Sequence, residues 1–209
     1  MVPPTTAIAD VLQLRGLNGW LSPPLRRVHC RMGLLGRART VQLAAGPGGD
    51  DLESLHVLFD DDLRDRVLVV AGAQAAAGAV WGEIHTRAAL ACRLAAVAVE
   101  GGVRDLNAFR DLDLPAWSLY EATAGAGPGV RVASVGAPVT VAGVRVDEGT
   151  LIAMDAAGVV AVPGPDVLDD SYAYAEAEEE VISALREGRP LKEAHRHKSQ
   201  MTAKLRRAL

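Results

Sequence analysis

Val67-Leu68-Val69-Val70 and, downstream, Val97-Ala98-Val99-Glu100-Gly101-Gly102-Val103-Arg104-Asp105 decide the fold class. Both open on unbroken apolar runs, the pattern of strands covered on both faces. Between them Ile84, Ala88, Ala91, Cys92 and Ala95 fall on one stripe of a helix expected from Val80 to about Leu94. Strand, helix, strand is an α/β unit, and the chain extends it in both directions. Upstream, Gly36 to Leu43 alternates small or apolar with polar residues, as a half-buried strand does. Before it, Thr5 to Leu12 reads as a helix capped by Thr5 or Thr6, ended by Gly16 and Gly19 and followed by a Pro23-Pro24 loop. A loop at Gly46-Pro47-Gly48-Gly49 leads into an acidic helical stretch, Asp50 to Asp62. Downstream, Leu106 to Arg110 reads as a short helix and Pro115 to Tyr120 as a third strand. From Val130 to Val162 the Val-rich runs are broken by Gly, Pro and Asp. Turns at Asp147-Glu148-Gly149 and Ala156-Ala157-Gly158 predict antiparallel pairing there. A long helix is expected from Pro165 to Gly188, then a basic, frayed end from His195 to Leu209. The expected architecture is α/β, with one layered domain over residues 1–165. Residues 166–209 form a helical extension that packs on the domain or on a neighbouring subunit.

Composition narrows the function classes. Of 209 residues 49% are apolar but only 4% aromatic, so the core is filled by Ala, Val, Leu and Ile. Stacking platforms for single-stranded nucleic acid have little to be built from. The balance of 22 basic against 26 acidic residues, net −4, argues against a phosphate-backbone binder. Cys30 and Cys92 are too few for a disulfide scaffold and have no metal-site spacing, which suits reduced thiols in the cytoplasm. No apolar run approaches the ~18 residues of a membrane span, and the start lacks the basic-then-apolar order of a signal peptide.

Chemistry concentrates between Trp81 and Asp105. Trp81-Gly82-Glu83 stands at an expected helix start, and twenty residues separate Glu83 from Arg104-Asp105 after the Gly101-Gly102 turn. Both points are expected beyond the carboxyl ends of neighbouring strands, where α/β sheets bind ligands. The first-turn N–H groups of Ile84 and His85 can hold a carboxylate, and Arg104 can clamp it bidentately. Asp105 can hold a divalent cation. That set suits a small 2-oxo acid whose enolate must be stabilised. The plainer readings are a first-turn acid favoured by the helix dipole for Glu83, and a loop ion pair or helix cap for Arg104-Asp105.

With these residues the chain resembles the RraA-like family. That family comprises the regulator of ribonuclease activity A and the class II pyruvate aldolases for 4-hydroxy-4-methyl-2-oxoglutarate and 4-carboxy-4-hydroxy-2-oxoadipate. The resemblance runs nearly end to end, through Thr6 to Leu12, Arg37 to Leu43, Trp81-Gly82-Glu83, Glu100 to Asp105, Leu112 to Pro115 and Asp155 to Val160. Its most specific element is an acid, twenty residues, then Arg-Asp: here Glu83, Arg104 and Asp105. The resemblance implies a β/β/α swivelling domain, assembled as a trimer or hexamer with its pocket at a subunit interface. It implies catalytic roles for all three residues. Asp105 anchors Mg²⁺ or Mn²⁺, Arg104 binds the pyruvate carboxylate or keto oxygen, and Glu83 holds the water that takes the C4 hydroxyl proton. Gly82, Ile84, His85 and Arg104 are the expected substrate-binding residues.

The chain departs from the family pattern at three places. Ala71-Gly72-Ala73-Gln74-Ala75 replaces a loop that commonly reads Asp-Gly-Gly-Gly-Asp, so two acids are missing. His85 and Arg87 follow Glu83 where apolar residues are usual. Glu100 stands where Asp or Asn is usual. Other signals are weaker. Gly72 to Gly78 fails the G-x-G-x-x-G spacing, and Gly125 to Gly129 lacks the Lys-Ser/Thr of a phosphate loop. His195-x-His197 is a pair in a basic tail, and that tail reads as a charged helix end. Trp20, Trp81 and Trp117 read as packing residues, with Trp81 also placed to line a pocket.

Two function classes follow. The first is a divalent-metal-dependent C–C lyase acting on a small 2-oxo acid: retro-aldol cleavage to pyruvate, with oxaloacetate decarboxylation through the same enolate. The second is a non-catalytic regulator that binds an RNA-degrading enzyme. The intact Glu83…Arg104-Asp105 set favours the enzyme, because a binding surface needs no carboxylate clamp beside a metal ligand.

Overall fold

The computed structural model describes residues 2–46, 52–60 and 62–207. The chain forms two compact units, residues 20–161 and residues 1–19 with 162–209. The larger unit holds the sheet. Its strands are β1 (Arg26–His29), β2 (Leu34–Ala45), β3 (Arg66–Ala71), β4 (Ala79–Trp81), β5 (Ala96–Val103), β6 (Ala116–Glu121), β7 (Val130–Val135), β8 (Val139–Val141), β9 (Val144–Val146), β10 (Leu151–Met154) and β11 (Val159–Val162). Nine of them make one sheet in the order β1-β6-β5-β3-β2-β10-β11, with β4 added to β5 and β7 to β2. β2, β3, β5 and β6 run parallel to their neighbours in this series, while β1, β7 and β10 pair antiparallel.

The two apolar runs sit at the centre of this sheet, and their alternation explains why they are unbroken. Leu68 and Val70 of β3 with Val97 and Val99 of β5 face one core, which also holds Trp81, Phe109 and Leu114. Val67, Val69, Ala96 and Ala98 face a second core, shared with Trp117, Ile152, Met154 and the β8–β9 hairpin. A strand buried on both faces has no position left for a polar side chain.

The helices of this unit are short: α2 (Glu53–His56), followed by a 3-10 turn at Val57–Asp60, α3 (Glu83–Ala91) and α4 (Leu106–Asp111). α3 begins later than the stripe from Val80 suggests, because residues 79–81 are strand. Ala79 pairs with Gly102 and Trp81 with Val103. The Pro23-Pro24 loop runs into β1, an edge strand the sequence reading omits. The turn at Asp147 to Gly149 does not join paired strands either. β9 pairs with β8 across the Ala142-Gly143 turn, and β10 pairs with β2. Residues 47–49 of the expected Gly/Pro loop and part of the acidic stretch 50–62 lie outside the described residues.

The smaller unit is helical: α1 (Thr5–Leu14), α5 (Pro165–Arg186), α6 (Leu191–Ala194) and α7 (Arg196–Arg207). Ile8, Val11 and Leu12 of α1 are buried, as are Val167, Ser171, Tyr174, Ala177 and Val181 at helical spacing on α5. Pro4, with no side-chain cap, precedes α1, so neither threonine is its N-cap. Arg15 pairs with Asp166 and Asp170, and the Tyr174 hydroxyl donates to Asp10 Oδ2 at 2.9 Å. Residues 196–207, expected to fray, are helical. Lys198 of α7 pairs with Glu178, with its ammonium 4.6 Å from the Tyr174 ring centroid, which ties α7 to α5. No described helix is long and apolar enough to cross a membrane.

Candidate active site

β4, β5 and β6 end side by side, and the candidate residues lie just beyond their carboxyl ends. Glu83 follows β4 after one residue, Gly82, and Arg104-Asp105 follow β5 directly. The Arg104 N–H donates to the Trp81 carbonyl at 2.9 Å, which locks the two strand ends together. The acid and the Arg-Asp pair thus meet through space, although the strand that brings the acid is one the sequence reading takes as helix.

Asp105 adopts the left-handed conformation at φ 56°, uncommon for a residue with a side chain and best tolerated by Asp and Asn. Its carboxylate does not cap α4, the helix it precedes. It turns to α3, where Oδ2 accepts the Glu83 N–H at 3.1 Å and stands 3.8 Å from Arg104 Nε. A negative charge at a helix start satisfies an orphan donor and complements the dipole. Oδ1 has no hydrogen-bond partner among the described residues.

Gly82 makes this approach possible. A Cβ there would stand 2.6 Å from Asp105 Oδ2 and 3.1 Å from Arg104 Cγ, inside contact distance for both side chains. The Arg104 guanidinium runs on to the loop after β6, where a Cβ on Gly125 would lie 3.4 Å from Nη1. Arg104 therefore lies between two glycine backbones, its fork without a bidentate carboxylate partner among the described residues.

Glu83 and Arg87 form a pair one turn apart on α3. Arg87 Nε and Nη2 both donate to Glu83 Oε1, at 2.8 and 2.6 Å, and leave Oε2 open. Ile84 is 77% exposed. Its N–H and that of His85 follow Glu83 in the first turn, where helix geometry supplies no intrahelical acceptor.

His85 turns the other way. Its ring centroid lies 5.3 Å from Trp81, 6.0 Å from Phe59 and 5.8 Å from His56, and its Nε2 is buried without a partner. Burial pushes its pKa down from 6.5 to about 4, with the charges of His56 and Arg104 adding to the shift. It is a neutral imidazole in an aromatic nest. Trp81 is a packing residue, 1% exposed, whose indole N–H donates to Thr86 Oγ1 at 3.1 Å.

Two cavities flank Asp105. One, of about 460 Å³, is lined by Arg104, Asp105, Leu106, Glu121 and Thr123 among others. The other, of about 310 Å³, is lined by Glu83, Asp105, Leu106, Asn107 and Ala108. Glu121 is a residue the sequence reading missed. It ends β6 in register with Val103, beside the start of the Arg-Asp pair. The available signal is its place as the last residue of an apolar strand before a Gly-rich loop.

Among the described residues no three His, Cys, Asp or Glu side chains gather as a metal site. The one carboxylate that lines both cavities is Asp105, whose Oδ1 has no hydrogen-bond partner among the described residues. That fits Mg²⁺, which commonly takes one or two carboxylates and keeps water and substrate oxygens as its other ligands. Of the His195–His197 pair, the His197 side chain lies outside the described ones.

Comparison with known proteins gives this geometry a family. The family described as RraA-like, Aldolase/RraA, matches residues 5–161. The chain belongs to it. A putative 4-hydroxy-4-methyl-2-oxoglutarate aldolase of Halalkalibacterium halodurans is 29% identical over 160 residues, 77% of this chain and 72% of that protein. Protein DlpA of Legionella pneumophila is 25% identical over 90% of this chain, which spans only 31% of DlpA. Among solved structures, RraAS2 of Streptomyces coelicolor, titled an unusual member of the RNase ES inhibitor RraA protein family, superposes with a TM-score of 0.73. That match has 23% identity and covers 83% of this chain and 88% of that one. The RraA-like fold expected from the sequence is the fold of this chain.

Proposed function

We propose that this RraA-like protein is a divalent-metal-dependent C–C lyase that cleaves a small 4-hydroxy-2-oxo acid to pyruvate, with oxaloacetate decarboxylation as a related reaction. The observation that carries the reading is Arg104. Its guanidinium lies unclamped between Gly82 and Gly125, next to a carboxylate that has one oxygen open. A structural ion pair would close on its partner, whereas Arg104 Nε stands 3.8 Å from Asp105.

The residues divide the work as follows. Arg104 binds the 2-oxo acid head through its fork and neutralises the charge that grows on the keto oxygen. Asp105 Oδ1 holds Mg²⁺ or Mn²⁺, which supplies Lewis acidity at the keto oxygen when bound. Glu83 Oε2, the oxygen Arg87 leaves free, takes the C4 hydroxyl proton directly or through one water. The C3–C4 bond then breaks, its electron pair enters the pyruvate enolate, and the enolate takes a proton at C3. No Schiff-base lysine is called for, and none lines either cavity. Binding to an RNA-degrading enzyme, the rival reading, requires none of these features.

Purified protein with Mg²⁺ or Mn²⁺ is expected to release pyruvate from oxaloacetate or a 4-hydroxy-2-oxo acid, and Arg104→Ala to abolish the release. Absence of pyruvate from every such compound would sink the lyase reading and leave capture of a ribonuclease as the alternative to pursue.

A further inference from the structure

We infer that Glu121 and Thr123 read the far end of the substrate, and that this end is uncharged and hydroxylated instead of carrying a second carboxylate. The inference rests on the lyase reading and deepens it.

The larger cavity beside Asp105 has a charge pattern of its own. Arg104 is the one cation among its lining residues, and the 2-oxo acid head uses it. Part of the same cavity's wall is built from the end of β6. Glu121 pairs in register with Val103, the Ala122 N–H donates to the Val103 carbonyl at 2.9 Å, and Thr123 follows. This backbone pairing fixes the wall against the strand end that carries Arg104. Arg87, Arg93 and Arg110, the neighbouring cations in sequence, line neither cavity, and Arg87 spends two N–H groups on Glu83 Oε1.

Glu121 has no hydrogen bond or ion pair among the described residues. A substrate carboxylate placed against it would meet a like charge and no second cation, the arrangement that rejects a ligand by repulsion. A hydroxylated chain meets the opposite situation. An ionised carboxylate accepts O–H donors on both oxygens, and the Thr123 hydroxyl both donates and accepts. The cavity volume of about 460 Å³ suits a small ligand. Its remaining lining is Val103, Leu106 and Ala122.

A matched pair of five-carbon substrates tests this. 4,5-Dihydroxy-2-oxopentanoate and 4-hydroxy-2-oxoglutarate differ only in a terminal CH₂OH or carboxylate, and both yield pyruvate on cleavage. The wild-type protein with Mg²⁺ is expected to favour the dihydroxy compound by about tenfold or more in kcat/KM. Glu121→Gln, nearly isosteric, should narrow the ratio through KM for the dicarboxylate, and Glu121→Arg should reverse it. Because each variant is read as a ratio on one preparation, partial loss of folded protein cancels. A wild-type preference for the dicarboxylate, or a ratio unmoved in both variants, overturns the inference while the lyase reading stands. Loss of Mn²⁺ affinity in Glu121→Gln also overturns it, since Glu121 would then be a metal ligand. Failure of both compounds to release pyruvate, with oxaloacetate still decarboxylated, overturns the inference alone. Failure with all three substrates removes the lyase reading as well.

Discussion

Glu100 and Asp105 stand five residues apart at the end of one strand, and they are opposite kinds of acid. Glu100 has both oxygens occupied: Oε2 accepts the Gly72 N–H at 2.9 Å and Oε1 the Ala142 N–H at 2.7 Å. It ties the loop after β3 to the β8–β9 turn, where Ala142 is held at φ 44°. Asp105 gives one oxygen to the start of α3 and keeps the other open beside two cavities. A carboxylate whose acceptors are all filled by backbone holds the fold together. One with an open oxygen at a cavity is available for chemistry. Glu100 on the neighbouring strand anchors the loop after β3 through the Gly72 N–H.

The sharpest way to break this contrast is to alter the open side. Arg104→Ala or Asp105→Asn is expected to lower pyruvate release roughly 100- to 1000-fold, the size of losing one group that stabilises a developing oxyanion. Asp105→Asn keeps an acceptor for the Glu83 N–H, so thermal unfolding should barely move. Full activity with a lowered melting temperature would make Asp105 a structural acid like Glu100.

His85 adds a third kind of polar group, buried and unpaired. Its folded pKa of about 4 lies below the unfolded value near 6.5, so the unfolded chain binds the proton first. Its contribution is complete above about pH 6.5 and is lost as pH falls toward 4, by at most about 3 kcal/mol. Denaturant unfolding followed from pH 7 to 4 measures this. His85→Phe should flatten the slope, and an unchanged slope would assign the acid sensitivity elsewhere.

Glu100→Ala probes the filled carboxylate directly. Two backbone N–H groups lose their acceptor, at a cost of about 2 kcal/mol, or roughly 4–8 °C in Tm for a chain of this size. Pyruvate release per folded molecule should fall far less than in Arg104→Ala. An equal fall would show that the loop anchored by Glu100 belongs to the site. The smallest effect is expected at Arg87. Its pair with Glu83 is solvent-exposed, so Arg87→Ala should change stability by about 0.5 kcal/mol or less. It should act instead on kcat, by freeing the Glu83 carboxylate to rotate, and Arg87→Lys should restore part of the loss.

The contrast also marks what a linear reading can reach. The central strands were legible because burial on both faces leaves an unbroken apolar run, as in Val67 to Val70. Trp81-Gly82-Glu83 and Arg104-Asp105 were legible as a motif. The short strand at residues 79–81 was not, since Val80 and Trp81 extend the apolar stripe of α3 by one turn and only pairing to Gly102 and Val103 makes them extended. Turn residues at 147–149 predicted pairing of the strands they join, but β10 found its partner in β2, with Leu151 opposite Arg37. His85 stands two residues from Glu83 on the chain, yet its ring packs between Trp81 and Phe59, because successive helical positions face different sides. Glu121 ends a strand before a Gly-rich loop, but its place beside the Arg-Asp pair follows only from the pairing of β6 with β5.

Composition and local pattern alone thus determined an Ala/Val/Leu-rich α/β chain with an acid and an Arg-Asp pair at strand ends, since apolar periodicity and spacing are local properties. Tertiary structure decided which acids are spent on backbone donors, which keep an open oxygen, and that Glu121 lines one cavity with Arg104. These are matters of strand order and register, and they depend on pairing partners remote along the chain.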